Sequence, residues 1–321
     1  MTCLVVMYHY VRDTAATPFP EIRALAPDLF EQQLDWLQAH YTVVDLAAFE
    51  AAVDGTAPLP ANATLLTFDD GFIDHYEAVL PRLRLRGLSA TFFLTERACG
   101  DRPQLLAVHK MHFLLARLGV EGFARAVLQA CEPSALPRGI AREVLGFDRW
   151  DDAGARAIKN LVSHELPFDE AERVLEALFV EHIGESTAFA RALYLDATKV
   201  RAMAAAGMTF GYHTRSHRLL SRLSQEEQEA ELRTGVPWIR SLTGQATVSF
   251  CYPWGGSQTY TRDTVRILRD AGYSVAFNTV RRRATLDEDS RYELPRIDTR
   301  DLPPYTAAEP ASAAAFSTGD A

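Results

Sequence analysis

Residues 63–71 read Ala-Thr-Leu-Leu-Thr-Phe-Asp-Asp-Gly, a short apolar run that ends in two carboxylates and a glycine. A run of this length bounded by a turn signal makes a buried strand, and Gly71 permits the sharp turn that must follow. Adjacent carboxylates on such a turn can face different ways, one toward a metal and one toward a reacting water. A polar turn after a buried strand is the plainer reading of the same residues. The pattern repeats on both sides: strand-like runs fall at 3–8, 41–44, 89–94, 208–212, 247–251, 273–277 and 292–298. Helical periodicity falls at 27–39, 74–86, 223–242 and 260–271, with Phe30, Leu34 and Leu37 forming one apolar face of the first. Gly87 and Gly272 stand where helix C-caps belong. Strand–helix alternation of this kind predicts an α/β fold, a mainly parallel sheet or a distorted (β/α) barrel.

The alternation occupies 1–100 and 201–303 but lapses between them. Residues 101–200 are nearly all helical in pattern, with stretches such as MHFLLA at 111–116 and ERVLEALF at 172–179. We expect a helical insertion there, a subdomain that shapes substrate entry from the rim of the barrel. From Pro304 the sequence loses large apolar residues, and 304–321 is expected to be a flexible tail.

With 48% apolar residues, the 321-residue chain can build a sizeable core. Its net charge of −9, without a basic stripe, argues against nucleic acid as a partner. Arg281-Arg282-Arg283 is a tight basic cluster, read as a solvated loop or as a contact for an anionic substrate. Cys3, Cys99, Cys131 and Cys251 show no CxxC spacing, so a zinc ribbon has no support. No apolar run approaches the ~20 residues of a membrane span. Met1 leads almost directly into a strand-like run, without a charged n-region and a long apolar stretch. A cytoplasmic location is the expectation.

Two further segments at strand ends carry chemistry. His213-Thr214-Arg215-Ser216-His217 follows the run 208–212. Histidines four apart on a helical turn share one face, which lets two imidazoles meet one metal; a capped helix N-terminus is the alternative. Phe250-Cys251-Tyr252-Pro253-Trp254-Gly255-Gly256 follows the run 247–251. A proline turn with glycines can aim backbone N–H groups into a site, as an oxyanion hole requires, or simply pack a tryptophan.

Together these segments resemble the polysaccharide deacetylase family, the NodB-homology or carbohydrate esterase family 4 enzymes. The motifs Thr67-Phe68-Asp69-Asp70-Gly71 and His213-Thr214-Arg215-Ser216-His217 are similar to the first two of that family, in order. The resemblance covers roughly 60–100, 205–300 and the first strand. It implies a distorted (β/α) barrel and hydrolysis of N-acetyl groups on an amino-sugar substrate, whether polysaccharide, oligosaccharide or activated sugar. It further implies that Asp70, His213 and His217 ligate one divalent metal ion, usually Zn2+, that Asp69 is the base, and that the backbone N–H of Trp254 helps hold the oxyanion.

Two departures stand out. Cys251 occupies the place of an arginine that orients the base, and no histidine after His217 is present to act as acid. Met7-Tyr8-His9-Tyr10-Val11 resembles the opening motif of the poly-N-acetylglucosamine deacetylase branch, regarded as circularly permuted with the acid-bearing strand first. His9 is accordingly the expected acid. For the missing arginine, Leu294-Pro295-Arg296-Ile297-Asp298 offers two side chains on one strand face. Arg296 or Asp298 is expected to orient Asp69 or His9, with a structural salt bridge the alternative. His109 and His112 are read as a partly buried helix face, and His75 as surface or as a neighbour of the site. Two other functions fit the same residues: an N-deformylase or other C–N hydrolase on a nucleotide- or lipid-linked sugar, and a non-catalytic carbohydrate-binding protein.

Overall fold

The computed structural model describes residues 1–136, 152–288 and 290–305. The tail expected from 304 onward lies outside the described residues beyond Tyr305, as does 137–151 within the helical segment.

Among the described residues, nine strands form one sheet: β1 (Thr2–Tyr8), β2 (Thr42–Val43), β3 (Ala63–Phe68), β4 (Thr91–Leu94), β5 (Thr209–Tyr212), β6 (Ser249–Cys251), β7 (Ala276–Phe277), β8 (Ala284–Thr285) and β9 (Ile297–Asp298). The order β7-β6-β5-β4-β3-β1 is parallel throughout. β9 pairs in parallel with β1, and Leu294 just before it bridges in parallel to Phe277 of β7. Residues 294–298 therefore span from one edge of the sheet to the other and close the ring. β8 is antiparallel to the start of β1, and β2 extends β3.

Strands β1 and β3 to β7 are buried along nearly their whole length, which is why their sequences are largely continuous apolar runs rather than alternations. Val5, Leu65, Phe93, Cys251, Phe277 and Leu294 belong to one core cluster. Gly211 makes room for it: a Cβ there would meet the Phe93 ring at 2.4 Å. Helices alternate with the strands, among them Pro27–His40, Leu46–Val53 and Arg262–Asp270. The helix read at 223–242 is two, Gln225–Leu232 and Gly235–Thr243, with the break beside Gly235 and two residues before Pro237. That read at 74–86 begins as a π turn at His75–Val79 before Leu80–Leu85.

The chain packs as two compact units. One comprises Met1–Arg12, Ala24–Arg102 and the chain from Leu193 onward; the other comprises Asp13–Arg23 and Pro103–Ala192. The second unit is helical, with Ala107–Ala130 interrupted at Gly119 and Phe168–His182 beside it. It also takes in 13–23, because Phe19 packs edge-on against Phe113 at 5.0 Å and Phe189 at 5.9 Å. Sequence periodicity could not reveal that long-range contact. His109 is fully buried in this unit and His112 half-buried. Among the described residues, no helix is long and apolar enough to cross a membrane.

Candidate active site

Strand register decides which side chains meet at the C-terminal ends of the strands. Tyr8 pairs with Phe68, so the next residues, His9 and Asp69, emerge side by side, and the Asp69 N–H donates to the Tyr8 carbonyl at 2.9 Å. Tyr212 pairs with Phe250, which sets His213 beside Cys251. The closing segment brings Arg296 in from the other direction.

Arg296 is completely buried and makes five hydrogen bonds. Its Nη1 donates to Asp69 Oδ1 (2.8 Å) and Thr67 Oγ1 (3.1 Å), its Nη2 to Asp69 Oδ2 (2.7 Å) and Cys251 Sγ (2.9 Å), and its Nε to the Asn278 carbonyl (3.0 Å). The two-point pair fixes both the position and the plane of the Asp69 carboxylate. Burial alone would raise the Asp69 carboxyl, but the charge and hydrogen bonds of Arg296 outweigh it and hold it down at about 2. Cys251 is the small residue that leaves space for this guanidinium. Burial pushes its thiol up despite Arg296, so the sulfur stays protonated and lies 3.5 Å from Asp69 Oδ2. Of the two side chains read as partners for Asp69 or His9, the structure sets Arg296 against Asp69. The Asp298 carboxylate instead caps the turn Thr299–Asp301, accepting the Arg300 N–H at 2.8 Å.

Asp70, His213 and His217 bring three ligand atoms within 4.8 Å of one another, all three residues buried. Asp70 Oδ1 lies 3.6 Å from His213 Nε2 and 3.5 Å from His217 Nε2. A tetrahedral ion with bonds of ~2.0–2.1 Å separates its ligand atoms by about 3.4 Å, so the spacing fits. The protonation state fits as well. Burial lowers the His213 imidazole, keeping it neutral, and its Nδ1 lies 2.7 Å from the Cys251 carbonyl, which can only accept. The proton is therefore on Nδ1, and the Nε2 lone pair faces Asp70. A second grouping, Asp69 with His213 and Cys251, is less suited to a cation because the Arg296 guanidinium lies on both Asp69 and Cys251.

The two histidines meet by a route that differs from the helical turn read from their spacing. Residues 213–217 form a loop in which Thr214 (φ 63°) and His217 (φ 61°) are left-handed. The His217 N–H donates to Thr214 Oγ1, and Glu231 accepts from both the N–H and the hydroxyl of Ser216. Glu231, buried on the helix Gln225–Leu232, had no signal in the sequence beyond a glutamate on a polar helix. Among the described residues, four non-glycine residues have positive φ: Asp70 (75°), Thr214, His217 and Trp254 (66°). All four lie in the three motifs at the strand ends. Backbone strain of about 1–3 kcal/mol at each is held by the surrounding contacts, a concentration found at functional sites.

His9 presents Nε2 3.7 Å from Asp69 Oδ2, with its side chain 41% exposed. Trp254 follows β6, its ring edge-on to His217 at 5.5 Å. His75 is fully buried rather than on the surface, its Nε2 3.0 Å from the His9 carbonyl. At Gly71 the turn is left-handed (φ 66°), and a Cβ would lie 2.5 Å from Cys99 Sγ.

Known proteins resemble this chain in sequence and in fold. The family model described as polysaccharide deacetylase matches residues 56–112 and 168–276. The chain belongs to the polysaccharide deacetylase family. The match takes in helices after 168 that the sequence reading placed outside it. Enzymes of this family depend on a metal, and the Asp70–His213–His217 group could hold one. The poly-beta-1,6-N-acetyl-D-glucosamine N-deacetylase of Escherichia coli strain K12 is 36% identical over 83 residues, 25% of this chain. The matched stretch is only 12% of that protein's length. Among solved structures, the Streptococcus pyogenes deacetylase PplD in complex with acetate has a TM-score of 0.57 at 18% identity, covering 93% of this chain and 92% of that one. IcaB from Ammonifex degensii has a TM-score of 0.56 at 17% identity, covering 93% and 91%. These structures share the distorted α/β barrel fold with the present chain.

Proposed function

We propose that this chain is a metal-dependent carbohydrate N-deacetylase, hydrolysing the acetamide of an amino-sugar substrate. The observation that carries the reading is the convergence of Asp70, His213 and His217 beside an Asp69 carboxylate held at two points by a buried arginine. One oxygen and two imidazole nitrogens suit Zn2+ and leave room for water and substrate. Such an ion would polarise the amide carbonyl and acidify the attacking water.

The chain's own residues divide the remaining work. Asp69, ionised and fixed by Arg296, takes a proton from the water as its oxygen attacks the carbonyl carbon. Charge develops on the carbonyl oxygen, and the backbone N–H of Trp254 donates to it. His9, in its protonated form, gives its proton to the nitrogen as the C–N bond breaks, so that the amine leaves neutral with acetic acid, which ionises to acetate in water. His9 Nε2 lies 3.7 Å from Asp69 Oδ2, so return of the proton to His9 after release runs through one intervening water.

A β-linked N-acetylglucosamine oligomer is the first substrate to test, given the name of the Escherichia coli relative. The purified protein loaded with one equivalent of Zn2+ should release acetate, and a chelator should abolish release. The Asp69→Asn variant should keep the metal and lose turnover, whereas His217→Ala should lose both. Formate release from N-formyl sugars in preference to acetate would redirect the substrate assignment. Metal bound without acyl release from either, or full turnover in Asp69→Asn, would overturn the reading.

A further inference from the structure

His75 and Asp74 follow the Asp69-Asp70-Gly71 turn, yet neither belongs to the chemistry above. Both are buried, His75 completely. Both direct their side chains at one short stretch, residues 9–12, His75 at backbone and Asp74 at backbone and the Arg12 side chain. His75 Nε2 lies 3.0 Å from the His9 carbonyl oxygen. Asp74 Oδ2 accepts from the Val11 N–H at 3.1 Å and from Arg12 Nε at 2.8 Å. The Arg12 guanidinium also lies 4.9 Å above the Tyr10 ring, which stacks on Phe72 at 3.9 Å.

The tautomer of His75 follows from its surroundings. Burial lowers its imidazole to about 4, so the ring is neutral at pH 7 and carries one proton. A carbonyl can only accept, which places that proton on Nε2. Nδ1 is buried without a hydrogen-bond partner among the described residues, and the rings of Phe68, Phe72 and Phe92 surround the imidazole at 5.4–5.8 Å. Burying a polar ring among three phenylalanines is costly, and its hydrogen bond to the His9 carbonyl is what offsets that cost. His9 itself is poorly anchored, with a side chain 41% exposed on a strand end.

We infer that Asp74 and His75 form a positioning pair that clamps residues 9–12 to the Asp69-Asp70 turn and thereby sets His9 against Asp69. The acid and the base then share one rigid frame although 60 residues separate them in sequence. This inference rests on the reading of His9 as the acid, and the test separates the two.

Amide hydrogen exchange of the peptide containing residues 9–12 needs no catalysis. Loss of one hydrogen bond in His75→Phe, a substitution that suits the aromatic surroundings, should speed exchange there about tenfold while distant peptides are unchanged. His75→Gln, which restores an N–H donor, should recover much of the protection, and Asp74→Ala should mimic His75→Phe at Val11. Unchanged exchange in both His75→Phe and Asp74→Ala overturns the clamp. In turnover, His75→Phe should lower kcat about tenfold with KM unchanged, and the effect should vanish in a His9→Ala background. The same fold-loss in both backgrounds would make His75 merely structural. If His9→Ala itself turns over normally, the acid assignment fails alone, and the exchange result still decides the clamp.

Discussion

Removing Arg296 provides the most demanding test of how this site is held. The side chain is fully buried and its five hydrogen bonds tie Asp69, Thr67, Cys251 and the Asn278 carbonyl into one group. Arg296→Ala leaves the Asp69 carboxylate buried with no opposing charge, and breaking such a pair costs about 3–5 kcal/mol of stability. Burial, no longer opposed, should raise the Asp69 carboxyl, and the carboxylate loses its fixed plane. We expect kcat to fall at least a hundredfold, the lower part of the range for losing an oriented general base. Asp70, His213 and His217 do not touch Arg296 through any of these five bonds, so bound metal should stay at one equivalent. Arg296→Lys separates orientation from folding: it keeps a positive charge but loses the two-point fork. That variant should fold with a smaller loss of thermal stability and still show most of the kinetic defect. The assay is acetate release under saturating substrate, with metal content and thermal unfolding measured on the same preparations. Wild-type kcat in either folded variant, or loss of metal in step with turnover, would refute the argument.

Three other outcomes follow from the same geometry. His9→Ala should slow hydrolysis of an N-acetyl substrate about a hundredfold but leave an activated O-acetyl ester nearly unaffected, because a good alkoxide leaving group needs no proton; equal losses on both would remove His9 as acid. Cys251→Arg should not restore a more usual site: Cys251 Sγ lies 2.9 Å from Arg296 Nη2, and a second guanidinium there would be buried against the first. A drop in unfolding free energy of about 3 kcal/mol or more is expected by chemical denaturation, and a variant as stable as wild type would contradict the packing. For acid stability, Asp69 is held at about 2 against an ordinary value of 3.8, so its contribution is fully present above 3.8 and lost as pH falls through about 2. That contribution is about 2 kcal/mol, and Asp69→Asn should flatten the stability curve between pH 4 and 2; an unchanged slope would argue against the depressed carboxyl.

The local chemistry was legible in the chain because it is written in neighbouring residues. Asp69-Asp70-Gly71 at the end of an apolar run announces a strand, a turn and two carboxylates together, and the alternation around it announces a parallel α/β sheet. The spacing of His213 and His217 brought two imidazoles into consideration, although the helical turn assumed for them is a loop with two left-handed residues. Backbone strain of that kind depends on contacts such as Ser216 with Glu231, which no local pattern encodes.

Tertiary structure decided what stands behind the motifs. Sequence alternation placed Arg296 and Asp298 on one strand face as equal candidates. Closure of the ring by residues 294–298 carries Arg296 to Asp69, 227 positions away, while Asp298 caps its own turn. Register, not sequence distance, set His9 beside Asp69, and the π turn after β3 carries His75 to the His9 carbonyl. Side chains that meet because strands pair across a barrel leave no periodic trace, and the surroundings of this site are built from such meetings.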